Sequence, residues 1–99
     1  MSYIYLIECY RADSDSTTYK IGHAKNVEKR IKELTTGNDG NLSIIHQYKS
    51  EFSTKIESAL HNHYKHKKIK NEWFLLEKQD IDNFIEKCKK IEFMFKNKI

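Results

Sequence analysis

The chain has 99 residues, 38% of them apolar and 32% charged, with 18 Lys and Arg against 14 Asp and Glu for a formal net charge of +4. That length has room for one core, so we expect a single domain over 1–99; the composition excludes a disordered chain, and no apolar run reaches the roughly 18 residues of a membrane span. The surplus positive charge favours a polyanionic partner, and a start without a basic stretch ahead of an apolar one predicts no secretory signal, reduced thiols at Cys9 and Cys88, and a cytoplasmic location.

Residues 3–10 are β-branched and aromatic and predict a strand; 11–16 are short and polar, and 17–22 read as its hairpin partner. Asn26 is a candidate N-cap for a helix in which Val27, Ile31 and Leu34 recur at helical spacing, and Gly37, Asn38, Asp39 and Gly40 stop it. A third strand is expected over 42–48. A second helix, starting at Ser53 or Thr54, carries Ile56, Ala59, Leu60, His63 and Tyr64 on one stripe. Residues 72–76 read as a short extended segment, and Asp80 as the cap of a last helix that buries Ile81, Phe84, Ile85, Cys88 and Ile91. The expected fold is α+β: a small, mainly antiparallel three-stranded sheet flanked by helices. Lys65, Lys67, Lys68 and Lys70 crowd one short stretch. They suit either a solvated helix end or a phosphate-contacting patch.

Five short motifs stand in order along the chain: Tyr3-Ile4-Tyr5 in the first strand, Lys20-Ile21-Gly22 closing the second, Arg30 on the first helix, Glu57 with His61 four residues on, and Glu72-Trp73-Phe74. Together they resemble the GIY-YIG nuclease superfamily, in its short phage and viral branch, over about residues 3–76. The resemblance implies a metal-dependent endonuclease acting on a nucleic acid, DNA foremost, with Mg²⁺ or Mn²⁺ at Glu57, in the cytoplasm or the interior of a viral host cell. It implies catalytic roles for Tyr5, Lys20, Arg30 and Glu57, with Tyr19, Gly22, His23, His61, Lys67 and Lys68 contacting substrate. The glycine of the first superfamily motif is Tyr3 here, and the tyrosine of the second falls on Lys20, with Tyr19 beside it. Neighbouring strand residues face opposite ways, so Tyr19 does not replace a side chain at position 20 without a bulge. The general base thus stays open among these residues.

The residues carry their own alternatives. Thr54-x-x-Glu57 is also a capping-box pattern, in which the glutamate serves its own helix. Arg30 borders an apolar stripe, so its charge either reaches a cleft or snorkels to water. Its guanidinium offers a phosphate two parallel hydrogen bonds, which lysine cannot copy. The Tyr5 phenol is a weak base unless cations lower its pKa, and Arg30 and Lys20 are the neighbours expected to do so. Glu72 suits either a cleft hydrogen bond or a cap. With no separate recognition domain expected, sequence specificity is expected to be modest, or supplied by self-association as a homodimer or by a partner. The alternative to an enzyme is an inactive nucleic-acid-binding module of the same fold, motivated by lysine at position 20.

Overall fold

β1 (Ser2–Arg11) and β2 (Ser16–Ala24) form the expected hairpin, with Tyr3 opposite Ala24 and Arg11 opposite Ser16. The turn between them holds Asp15 at φ 48°, a left-handed conformation that aspartate tolerates, and the Tyr10 hydroxyl donates to its carboxylate at 3.0 Å. The computed structural model describes residues 1–37, 40–70 and 72–97. The expected helix stop at Asn38 and Asp39 lies outside them.

β1 is the central strand, paired with β2 on one side and with β3 (Asn41–Ser50) on the other, where a bulge shifts the register between Leu6 and Ile7. Its residues 4–7 are all buried because both faces of the sheet are covered. Ile4 and Leu6 pack with Ile56, Leu60, Tyr64, Phe84 and Cys88, whereas Tyr5 and Ile7 pack with Val27, Ile31 and Leu34. So α1 (Val27–Thr36) lies on one face, and α2 (Ser53–His63) and α4 (Phe84–Lys96) lie on the other. Asn26 caps α1 as expected, its side chain accepting from the Lys29 backbone N–H at 3.0 Å. α4 is pinned to β3 by Glu92, which accepts from the Tyr48 hydroxyl and the Ser50 hydroxyl at 2.6 Å each. Among the described residues no helix is long and apolar enough to cross a membrane.

The three-stranded expectation is corrected. The sheet has five antiparallel strands in the order β3-β1-β2-β5-β4, with β4 at Lys68–Lys70 and β5 at Trp73–Phe74. The α+β class stands. Strands of three and two residues are too short to carry a period-2 pattern, and the lysines of β4 resemble a helix end more than a strand.

The last helix is also two helices. α3 (Lys78–Asp82) begins with a capping box in which Glu77 is the N-cap and Asp80 the reciprocating third residue; Asn83 then separates it from α4. Asp80 accepts from the Glu77 backbone N–H at 2.9 Å and from Lys67 at 2.6 Å. Burial pushes its carboxyl up, but the Lys67 and Glu77 hydrogen bonds outweigh that and hold it below its ordinary 3.8. A carboxylate with a depressed folded-state pKa stabilises the fold above the unfolded value and loses that contribution as pH falls through the folded one. Asp80→Ala is therefore expected to cost about 1 kcal/mol at neutral pH, the scale of a capping interaction. In urea titrations the gap from wild type should close as the pH drops well below 3.8.

Candidate functional site at the open edge of the second strand

β5 pairs with β2 only at Tyr19 and Lys20. Beyond them the Ile21 backbone N–H meets the Glu72 carbonyl at 3.4 Å, and past that point no described strand flanks β2 on this side. The sheet is thus half open there, and side chains from both of its faces gather around the opening.

From the α2 face come Glu57 and His61, four residues apart and so on one helix face. The His23 Nδ1–H donates to the Glu57 carboxylate at 3.0 Å. The His61 Nε2–H donates to the Ile21 carbonyl at 2.8 Å, and its ring stands edge-on to Phe74. From the α1 face come Tyr5, Lys20 and Arg30. Lys20 is 6% exposed, and a lysine so buried needs a partner. It has Glu72 at 2.7 Å, with its ammonium 5.5 Å from the centre of the Trp73 ring. Burial raises the Glu72 carboxyl, but Lys20, with His61 and Arg30 behind it, brings it below its ordinary value. Glu57, His61 and Glu72 each offer a ligand atom, all within 4.8 Å of one another, on the wall of a hollow also lined by Ser58 and Lys68. Two carboxylates and an imidazole at that spacing suit a divalent cation.

The capping reading of Glu57 does not hold. The N-cap of α2 is Phe52, two residues before Thr54, with no side-chain cap bond, so Thr54 lies inside the helix and the Glu57 carboxylate turns to His23. Ser53 is drawn into the first turn by a short hydroxyl–hydroxyl contact with Ser2, while the Ser50 hydroxyl takes the Phe52 N–H.

Tyr5 is 1% exposed, and its hydroxyl lies beside the Arg30 guanidinium. Burial raises the phenol's pKa, Arg30 opposes that without cancelling it, and the charges of Glu72 and Glu57 add to the rise. The expected lowering by cationic neighbours is not what the structure has.

The T5orf172 domain model matches residues 2–89 of the chain. The chain belongs to the T5orf172 domain family. This is a phage-associated domain of the GIY-YIG-like, nuclease-related group, which carries the association with nuclease and nucleic-acid function. No curated protein and no solved structure matches the chain.

In this T5orf172 domain the expected site residues separate into two sets. Tyr5, Lys20, His23, Arg30, Glu57 and His61 gather at the open edge, and Lys68 lines the hollow. Lys67 is turned away, held by Asp80 at 2.6 Å and Glu77 at 3.6 Å. Tyr19 is buried in the core on the opposite face from Lys20, its hydroxyl directed to Glu8 at 3.4 Å. Glu72 is more central than its motif position alone indicated: it touches Lys20 and stands beside both Glu57 and His61.

Gly22 sits directly across from Tyr5 in the β1–β2 ladder. A Cβ there would lie 2.5 Å from Tyr5 Cζ and would also overlap the hydroxyl. Its absence of side chain makes room for the phenol beneath Arg30. Gly22→Ala is expected to lower stability by about 1–3 kcal/mol, the usual cost of overpacking. It should also displace the Tyr5–Arg30 pair, seen as loss of the Tyr5 ring's native NMR shifts.

Proposed function

We propose that this T5orf172 domain is a metal-dependent endonuclease that hydrolyses phosphodiester bonds in nucleic acid, DNA foremost. The observation that carries the reading is the release of Glu57 from helix capping and its convergence with His61 and Glu72 beside Arg30 and Lys20. A hydrolase of this kind needs negative charge to hold a cation and positive charge to hold a phosphate. The open edge of β2 has both within one neighbourhood.

Glu57 would anchor a divalent ion, Mg²⁺ or Mn²⁺, which when bound would supply neutralising charge for the phosphate and make water more acidic. The chain's own groups do the rest. Arg30, only lightly held by Glu33 at 3.4 Å and part exposed, binds a non-bridging phosphate oxygen pair. Tyr5 stays protonated at neutral pH, since its pKa lies above the ordinary value. It therefore orients Arg30 and donates a hydrogen bond rather than acting as the base. Lys20 and Lys68 add cationic charge along the strand path, and His23 holds the Glu57 carboxylate in place. Such a protein works where nucleic acid is exposed, in the cytoplasm or the interior of a host cell.

The test is a cleavage panel over single-stranded, duplex and branched DNA and RNA, with Mg²⁺, with Mn²⁺ and with chelator. Metal-dependent cutting of at least one substrate is the expected result. A second reading, a binding module without turnover, is favoured by the Lys20–Glu72 contact, which occupies the position where the wider superfamily has tyrosine. Salt-sensitive binding with no product in any metal would replace the enzyme by that module.

A further inference from the structure

We propose that Glu57, His61 and Glu72 together form a three-ligand, mixed nitrogen–oxygen metal site that selects Mn²⁺ and neighbouring transition ions over Mg²⁺. The proposal rests on the nuclease reading only in placing the ion at Glu57. That reading requires one carboxylate; the two added ligands and the choice of ion go beyond it.

The first support is spacing. Three donor atoms bound to one small divalent ion at about 2.0–2.2 Å stand about 3–3.8 Å from one another. The three ligand atoms already lie within 4.8 Å of one another, so binding asks them to close in by about 1–2 Å at most, within reach of side-chain rotation. The second support is that each ligand is held from outside the triad. His23 donates to Glu57 at 3.0 Å, Lys20 holds Glu72 at 2.7 Å, and the Ile21 carbonyl takes the His61 Nε2–H at 2.8 Å. A carbonyl only accepts, so Nε2 carries the proton. Nδ1 is then the ring nitrogen left to face an ion. Partners of this kind orient ligands and fix the imidazole tautomer in metal sites. The third support is charge: Glu57 and Glu72 bring two carboxylates to the hollow, one of them shared with Lys20.

The imidazole decides the class of ion. Mg²⁺ keeps to oxygen donors and retains several waters, whereas imidazole suits the transition metals. Lys20 bonds one Glu72 oxygen, Oε1, which leaves the other for the ion.

The experiment uses chelator-treated full-length protein without nucleic acid. Mn²⁺ is titrated in, free Mn²⁺ is followed by electron paramagnetic resonance, and Mg²⁺ serves as competitor. One Mn²⁺ per chain is expected. Glu72→Gln and His61→Gln should each weaken binding at least about tenfold, and Mg²⁺ should compete only at more than about tenfold higher concentration. His61 also packs on Phe74, so Glu72→Gln, at a partly exposed position, is the decisive variant; circular dichroism checks its fold. Unchanged affinity in Glu72→Gln and His61→Gln, with loss in Glu57→Gln alone, overturns the three-ligand site and leaves the nuclease reading standing. Equal affinity for Mg²⁺ and Mn²⁺ overturns the selectivity. A wild-type protein that binds neither ion and cleaves in chelator overturns both this proposal and the metal-dependent reading beneath it.

Discussion

Glu57→Gln is expected to lower the single-turnover cleavage rate by about 10³-fold while leaving the protein folded. The size follows from its proposed role. An ion that stabilises transition-state charge contributes several kcal/mol, and about 4 kcal/mol corresponds to three decades of rate. Glutamine keeps the shape and loses the charge that anchors the ion. The fold should persist, because Glu57 caps nothing and, among the described residues, its half-buried carboxylate is hydrogen-bonded to the exposed His23. Weakening one hydrogen bond of that kind costs about 1 kcal/mol. Rapid-quench cleavage and urea unfolding on the same preparation separate the two effects. A variant that cuts at the wild-type rate sinks the assignment of the metal carboxylate.

The second large effect is expected at Arg30, and the informative change is to lysine. Arg30→Lys keeps the positive charge but loses the planar pair of donors that matches a phosphate edge. It also moves the positive charge away from its place beside the Tyr5 hydroxyl. We expect kcat to fall about 10²–10³-fold, the range seen when one preorganised charge-stabilising donor is removed. KM should change far less if the contact tightens as the phosphate charge develops. Glu33→Gln is the matched control, since Glu33 touches Arg30 from the solvent side at 3.4 Å and should leave kcat within a fewfold of wild type. A KM increase with kcat intact would instead make Arg30 a ground-state binding residue.

The long, strongly patterned elements were legible before any coordinates. The β1–β2 hairpin, α1 with its Asn26 cap and the stripe of α2 follow from periodicity and end signals that act within a few residues. β4 and β5 were not, because at three and two residues they depend on what lies alongside them: Trp73 pairs with Lys20 from a distant strand. The break at Asn83 was hidden for the same reason. The apolar positions from Ile81 to Ile91 suit one continuous helix, and only the Glu77–Asp80 reciprocal cap marks the start of a separate turn. At the site, motif order brought Glu57, Arg30, Lys20 and Tyr5 into one list, and the structure places all four near the edge of β2. What the letters did not convey was environment. Thr54-x-x-Glu57 reads as a cap unless one knows that Ser2 and Ser50 set the start of α2. Tyr5 reads as a base under two cations unless one knows how deeply it is buried. Lys67 reads as a phosphate contact until Asp80 is placed against it.

The half-open margin of β2 has one more consequence. A strand with unpaired N–H and carbonyl groups is a template onto which another chain can add, and folded proteins guard such margins. Here the Ile21 N–H is taken by the Glu72 backbone and its carbonyl by the His61 ring. The groups that shape the cation hollow therefore also act as a stopper against lateral growth of the sheet. A second copy seeking to extend it at that point must first dislodge both.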